Sequence, residues 1–179
     1  MAENLNYAVD SSWCYNNSAD SCTKYGRLYQ WTSAMDIDTA YNSTTWGGSD
    51  VNHQGICPDG WHLPSFNEWQ KLYNYVDANN GDDEGVGTSL KSGSGWEVQS
   101  GVATGTDLFG FSALPAGYCG YGEFSLAGYG ANFWSATTES LSANADGRYL
   151  YYDDEGFYSG SGYDDKGNGF SVRCLKDSE

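Results

Sequence analysis

Three clusters of adjacent carboxylates could carry out chemistry in this chain. They lie at positions 82–84, 153–155 and 164–165. Adjacent acids supply the hard oxygen ligands that Ca²⁺ prefers, if loops fold them toward one point. The preferred calcium set is Asp153, Asp154 and Glu155, because this cluster lies in a tyrosine-rich segment. No stretch has EF-hand spacing and a solvated turn is the alternative for each cluster, so the cofactor prediction is either none or calcium.

The remaining reactive residues do not indicate an enzyme. A glycosidase needs two carboxylates about 5–10 Å apart, and among 24 acids some pair meets that distance by chance. Nucleophilic catalysis needs Cys119 or a serine beside a histidine. The only histidines are His53, in a polar loop, and His62, in a GWHLPS turn. We expect His62 to be a packed, hydrogen-bonded residue and the protein to have no catalytic activity.

A tyrosine-rich segment near the C-terminus indicates binding. Residues 138–168 are dominated by Tyr, Gly, Ser, Asn, Asp and Glu, the residue types that paratopes use to cover area at low rotamer cost. Sugar rings stack on aromatic faces while carboxylates and amides bind their hydroxyls. A wet β-meander whose tyrosines cover strands is the alternative. The candidate ligand contacts are Trp46, Tyr149, Tyr151, Tyr152, Asp153, Asp154, Tyr158 and Tyr163.

Only part of this aromatic set can face a ligand. If the segment is a strand, its side chains alternate between the two faces of a sheet. Tyr149 and Tyr151 then share one face, while Leu150 and Tyr152 share the other. Half of the rings must therefore belong to the core. Among the tryptophans, Trp46 in the sequence STTWGGSD is predicted to be the most exposed.

The charge balance limits the partners. Eight Lys and Arg face 24 Asp and Glu, which gives a net charge of −16. Such a field repels nucleic acid and anionic membrane surfaces, and no run approaches the length of a membrane span, about 18 apolar residues. Neutral glycans, cations and basic proteins remain as partners. The 179 residues fit a single domain, 1–179, whose core must depend on 7 Trp, 15 Tyr and 7 Phe.

The five cysteines form no Cys-X-X-Cys pair, which disfavours a zinc cluster. Scattered cysteines in an acidic, lysine-poor chain favour an exported protein. Cys14 and Cys22 bracket a short polar loop that a disulfide can close. Cys57 and Cys174 would join the middle of the chain to its end, where the chain-entropy model gives the largest stabilisation, about 4–5 kcal/mol. Cys119 is then left over. Five reduced thiols are the alternative, and the sequence does not fix the connectivity.

The elements that position these residues are short, with one exception. A helix is predicted over 66–78, where Ser65 and Glu68 have capping-box spacing and an apolar stripe follows on one face. A second, shorter helix is predicted over 32–37. Strands are predicted at 27–31, 107–115, 123–127, 131–135, 149–153, 156–158 and 170–175. Helices early and strands late predict an α+β fold with an antiparallel sheet.

Four segments together resemble a known family. They are MAENLNY at 1–7, CPDGWHLPSFNEWQKL at 57–72, GTDLFGFSALPAGY at 105–118 and GFSVRCLKD at 169–177. This combination resembles the Fibrobacter succinogenes major paralogous domain, a family of exported bacterial modules, over nearly the whole chain. The resemblance implies an extracellular or cell-surface location in a bacterium. It implies no established biochemical activity.

A weaker likeness concerns the fold. A helix after a Leu-Pro-Ser turn, a loop-rich middle and a closing Gly-Phe…Arg-Cys strand resemble C-type-lectin-like and formylglycine-enzyme-like domains. This resemblance implies paired terminal strands, which a Cys57–Cys174 disulfide would suit, and ligand-binding loops opposite the termini. The Glu-Pro-Asn and Trp-Asn-Asp motifs of calcium-dependent sugar binding are missing. The expected fold is C-type-lectin-like, with one or two helices packed on short antiparallel strands and long loops.

The expected function is a non-enzymatic extracellular binding module or adhesin. It would recognise glycan or protein through its tyrosine-rich C-terminal loops. The alternative is a structural subunit of a surface fibre or envelope layer, in which the same rings make contacts between copies of the chain.

Overall fold

The protein has the expected α+β composition. The computed structural model describes residues 1–81, 85–102, 104–138, 143–160 and 164–178. Within these ranges, no helix is long and apolar enough to cross a membrane. The α-helices are α1 (Ala19–Tyr25), α2 (Trp31–Met35), α3 (Phe66–Asn79) and α4 (Val86–Leu90).

The strands form one large sheet and two small ones. They are β1 (Ser12–Trp13), β2 (Leu28–Gln30), β3 (Trp61–His62), β4 (Ala116–Gly120), β5 (Glu123–Ala127), β6 (Gly130–Trp134), β7 (Asn144–Ala145), β8 (Gly147–Tyr151), β9 (Tyr158–Ser159), β10 (Asp164–Asp165), β11 (Gly169–Ser171) and β12 (Leu175–Lys176). The large sheet has the order β1-β2-β11-β4-β6-β8-β9, with β5 paired to β4. The small sheets pair β3 with β12 and β7 with β10. Most pairs are antiparallel, as predicted, but β6 runs parallel to β4 and β11.

The long helix α3 begins where the sequence predicts and ends one residue later. The Ser65 hydroxyl accepts a hydrogen bond from the Glu68 N–H, and the Glu68 carboxylate accepts one from the Ser65 N–H at 2.9 Å. This reciprocal capping box satisfies two backbone donors that a helix start otherwise leaves free. Trp69 and Val76 are the buried residues of its apolar face. They pack against one face of the large sheet.

The central strand β6 divides the core into two layers. Its side chains alternate, so Ala131 and Phe133 lie in the cluster under α3, while Trp134 lies in the cluster on the opposite face. The Trp69 and Phe133 ring centroids are 5.8 Å apart, and Trp134 stacks on Phe170 at 4.2 Å. The core therefore depends on aromatic rings, as the composition predicts.

The predicted strand at 107–115 is wrong. Asp107, Gly110 and Ser112 have φ angles of 50°, 66° and 52°, in the left-handed region that interrupts an extended chain. The Asp107 carboxylate accepts the Ser112 N–H at 2.5 Å and closes a loop. Phe111 packs on Trp69 from this loop, with ring centroids 6.1 Å apart. The apolar run supplies core side chains without forming a strand ladder.

Two short helices escape sequence prediction. The seven-residue α1 buries only Cys22, and the five-residue α4 is buried all round. Neither has the one-sided apolar stripe by which a helix is recognised. The helix predicted over 32–37 is found as α2, which ends earlier because Asp36 adopts a left-handed conformation with φ of 54°.

Both predicted disulfides are confirmed. Cys14 is bonded to Cys22 and Cys57 to Cys174, while Cys119 is a buried free thiol. Next to the second disulfide, β12 pairs with β3. The Leu5 N–H also donates to the Val172 carbonyl at 2.9 Å. These contacts bring the two ends of the described chain together with its middle.

His62 on β3 forms an ion-pair cluster at this closure. It is 3% exposed, with Nδ1 2.6 Å from Asp177 Oδ1 and Nε2 3.0 Å from Glu68 Oε1. Burial is the largest influence on the pKa of His62 and lowers it, but hydrogen bonds to and charges of both carboxylates together raise the pKa above the ordinary value of 6.5. The His62 side chain therefore links α3 to the segment that follows β12, as expected of a structural histidine.

We expect removal of the Cys57–Cys174 disulfide to destabilise the fold more than removal of Cys14–Cys22. The long bridge spans 117 residues of sequence and the short one spans 8, so the chain-entropy model gives about 5 and about 2.5 kcal/mol respectively. Urea unfolding of the two double Cys→Ala variants measures both losses. Equal losses would contradict an origin in loop closure.

We expect His62 to make stability fall as the pH rises from neutral. A group with a raised folded-state pKa contributes fully below its unfolded pKa, 6.5 here, and the contribution disappears as the pH rises through the folded pKa. The measurement is the free energy of unfolding of the wild type and of His62→Gln from neutral pH upward. The difference isolates the contribution of His62, because the two proteins share every other titrating group. Parallel profiles would rule out the raised pKa.

Candidate functional site

The rings of Tyr151 and Tyr158 lie side by side where β8 meets the edge strand β9. The register pairs Tyr149 with Tyr158, so both point to one face of the sheet, and Tyr151 follows on that face two residues along β8. The ring centroids of Tyr149 and Tyr151 are 6.4 Å apart with planes inclined by 15°, and those of Tyr151 and Tyr158 are 6.2 Å apart. We call Tyr151, Tyr158 and the neighbouring Asp154 the tyrosine platform.

Exposure decreases from the edge of the sheet inward. Tyr158 is 46% exposed, Tyr151 is half-buried and Tyr149 is 8% exposed. Tyr149 packs its ring against Phe170 in the core, at a centroid distance of 6.0 Å. The interpretation of Tyr149 as a ligand contact is therefore corrected. Because β8 lies one strand in from the edge, this ring supports the platform from the core side.

Lys91 anchors the loop between β8 and β9. This residue is 1% exposed, and its ammonium donates to the Tyr151 carbonyl at 2.8 Å and to the Asp154 carbonyl at 2.7 Å. Burial lowers the pKa of Lys91, while the charges of Asp154, Glu155 and Asp153 act in the opposite direction. The ammonium thus balances an acidic loop and fixes its backbone.

The short helix α4 holds the same loop through backbone contacts. The Gly87 N–H donates to the Glu155 carbonyl at 2.7 Å. A Cβ on Gly87 would lie 2.1 Å from the Gly156 carbonyl oxygen, so this close approach requires glycine. A Cβ on Gly156 would in turn lie 2.3 Å from the Tyr158 ring. The ring therefore lies across a position that has no side chain.

Asp154 provides a polar edge to the platform. Its Oδ1 accepts the Gly156 N–H at 2.8 Å, and its carboxylate also interacts with the Tyr158 phenol. Burial, followed by the charge of Asp154, raises the pKa of both Tyr151 and Tyr158. Both phenols are therefore neutral at physiological pH, and the site offers apolar ring faces beside a carboxylate acceptor.

The calcium set predicted from the sequence does not form a compact group. Asp153 and Glu155 are exposed, while Asp154 is half-buried. Among the residues that the structure describes, no three His, Cys, Asp or Glu come together as a metal-binding group. The acidic cluster at 82–84 lies outside the described residues. Calcium binding by Asp153, Asp154 and Glu155 stays a prediction.

The other sequence candidates lie in different surroundings. Tyr152 makes an edge contact with Tyr129, with ring centroids 5.0 Å apart. Trp46 is half-buried, against the expectation of an exposed ring, because it packs on Trp31 at 5.9 Å and on His53 at 5.1 Å. Tyr163 lies outside the described residues.

The reactive side chains considered for catalysis are engaged in packing. His53 Nε2 lies 2.6 Å from the Met35 carbonyl oxygen, and His62 lies between its two carboxylates. The Cys119 thiol is buried, and burial raises its pKa. A raised pKa leaves the thiol protonated, which is the unreactive form.

Sequence reasoning missed two residues that support the platform. Tyr118 on β4 packs against Phe170 at 6.2 Å and contributes to the raised pKa of Tyr151. Lys91 is the larger omission. Its one available signal is compositional, because the chain has only eight Lys and Arg, and no local pattern marks this lysine.

Family comparison agrees with the sequence motifs. The model of the Fibrobacter succinogenes major domain matches residues 1–176. Neither a curated protein nor a solved structure matches the chain. Because the match covers nearly the whole length, this protein belongs to the Fibrobacter succinogenes major domain family.

Proposed function

We propose that this chain is a non-enzymatic binding module of the bacterial cell exterior that holds a neutral glycan on the tyrosine platform. The observation that carries the proposal is the pair of rings Tyr151 and Tyr158, 6.2 Å apart beside the Asp154 carboxylate. The apolar C–H face of a sugar can stack on the rings, while the carboxylate and phenols bind its hydroxyls.

Preorganisation favours this face over the other exposed tyrosines. Lys91 binds the Tyr151 and Asp154 carbonyls, and α4 binds the neighbouring Glu155 carbonyl. A ligand that lands here has little backbone freedom to remove, so less of its contact energy is lost to ordering.

Charge and disulfides support the ligand class and the location. A net charge of −16 disfavours anionic polymers and leaves neutral glycans as compatible partners. Two disulfides are typical of an oxidising compartment. We also propose the finer C-type-lectin-like architecture, on the ground that the N-terminal segment meets the C-terminal one where the Leu5 N–H donates to the Val172 carbonyl, while the platform lies where β8, β9 and their connecting loop meet.

We expect Tyr158→Ala to weaken glycan binding by about tenfold or more, since a central aromatic contact is commonly worth at least ~1.4 kcal/mol. Retention on a panel of insoluble and immobilised polysaccharides, including cellulose, xylan and mannan, gives the measurement. Tyr7→Ala is the matched control, because Tyr7 is 61% exposed and lies outside the platform.

The glycan proposal fails if the wild type is retained on no polysaccharide. It also fails if Tyr7→Ala and Tyr158→Ala lose the same affinity, since loss would then not depend on the platform. Folding of each variant is checked by thermal unfolding before the comparison.

A structural subunit of a surface fibre or layer is the second candidate function. It is favoured by the β4–β5 hairpin, whose tip residue Tyr121 is 90% exposed, with Leu126 and the following Tyr129 exposed by 40% and 43%. A tyrosine at this turn has a φ of 51°, an unusual conformation for a bulky residue. Exposed apolar side chains on an edge hairpin can pair with a second copy.

If the subunit function holds, the wild type should assemble at increasing concentration and Tyr121→Ala should not. The variant removes the aromatic ring with the highest exposed fraction in the described chain. Light scattering after size exclusion, with electron microscopy of the largest fraction, gives the measurement. A wild type that stays monomeric at every concentration would exclude the subunit function and leave the glycan proposal untouched.

A further inference from the structure

Two buried oxygens converge on the core side of the tyrosine platform. Tyr149 is 8% exposed, and its phenol oxygen has no hydrogen-bond partner within the described chain. The same is true of Asp164 Oδ2, which is inaccessible to solvent. A buried polar oxygen without a partner costs about 1–3 kcal/mol. Two of them at one place indicate a ligand that the described part of the chain does not supply.

Two glycines allow the Tyr149 and Asp164 oxygens to come close together. A Cβ on Gly160 would lie 2.2 Å from Asp164 Oδ2 and 2.4 Å from the Tyr149 phenol oxygen. A Cβ on Gly147 would lie 2.8 Å from each of the same two atoms. Both oxygens therefore converge on the same two glycines, and any larger residue at either position would collide with them.

A second buried carboxylate, that of Asp146, acts electrostatically on Asp164. The register of β10 on β7 sets Asp164 opposite Ala145, and Asp146 follows directly, with 3% exposure. Burial, together with the charge of Asp146, raises the pKa of Asp164 to about 7. Two buried carboxylates that repel each other are stabilised by a positive charge placed between them.

We propose that the Tyr149 phenol oxygen and the carboxylates of Asp164 and Asp146 bind one divalent cation of the calcium class. The donors are hard oxygens, which Ca²⁺ prefers over softer metals. Ca²⁺ also accepts the irregular geometry that a strand end and a glycine-lined gap provide, whereas Mg²⁺ requires a near-ideal octahedron. This site is separate from the exposed acids at 153–155.

The cation would act on the platform through one ring. Tyr149 stacks on Tyr151 at a centroid distance of 6.4 Å, so a bound phenol oxygen fixes the inner ring against which the platform rests. The inference does not depend on the glycan proposal, because cation binding is measured without any polysaccharide.

The test uses Ca²⁺ alone with protein freed of metals by a chelator. We expect titration calorimetry to give one saturable Ca²⁺ site in the wild type, with a saturable rise in the melting temperature. Asp164→Asn, which keeps the shape and removes the charge, should lose both. Tyr149→Phe removes only the phenol oxygen and should bind Ca²⁺ more weakly, which keeps the test valid should Asp164→Asn not fold.

Asp153→Asn is the matched comparison, because it removes one carboxylate charge from the exposed loop and should retain the site. Loss of binding in Asp153→Asn with retention in Asp164→Asn would overturn the proposal in favour of the acids at 153–155. A wild type that shows no saturable Ca²⁺ binding, and gains stability only as the pH falls, would also overturn it, since the two carboxylates would then share a proton.

Discussion

The fold depends on basic side chains that are buried against backbone carbonyls and aromatic rings. Lys91, Arg148, Lys166 and Arg173 are each at most 3% exposed, in a chain with only eight Lys and Arg. Each charge lies 4.6–5.4 Å from the centroid of an aromatic ring. Burying a charge is costly unless it is paired or hydrogen-bonded, and three of these residues meet that cost by donating to loop carbonyls.

This interaction explains how so many loops stay in place with few strand ladders. Lys91 holds the loop between β8 and β9, Lys166 binds the carbonyls of Tyr41 and Thr44, and Arg173 binds those of the 111–112 loop. Loop carbonyls must find donors when buried, and a lysine or arginine supplies several from one side chain. The same arrangement removes half of the basic charge from the surface, so the exterior is strongly acidic.

Local patterns in the sequence were sufficient for the parts of the fold that local physics determines. The Ser65–Glu68 spacing predicts the start of α3, because a capping box depends only on neighbouring residues. The predicted strand at 123–127 is found as β5, and the alternation of Tyr149 and Tyr151 follows from the period of a strand. The disulfide pairs were correct as well, although the sequence left other connectivities open. For the candidate site, it identified the tyrosine segment but not which rings are accessible.

Contacts distant in sequence decided the rest. The apolar run at 107–115 has the composition of a buried strand, but left-handed residues turn it into a loop, and its rings fill the core from there. Lys91 has no local signal, since its partners lie 60 residues away or more. Sequence by itself thus determined the family, the α+β class, the long helix and the residue types of the tyrosine-rich segment. Only the tertiary structure decided which tyrosines are buried, that the Lys91 ammonium holds their loop, and that the carboxylates of Asp164 and Asp146 interact. The reason is that burial and charge depend on neighbours that no local pattern contains.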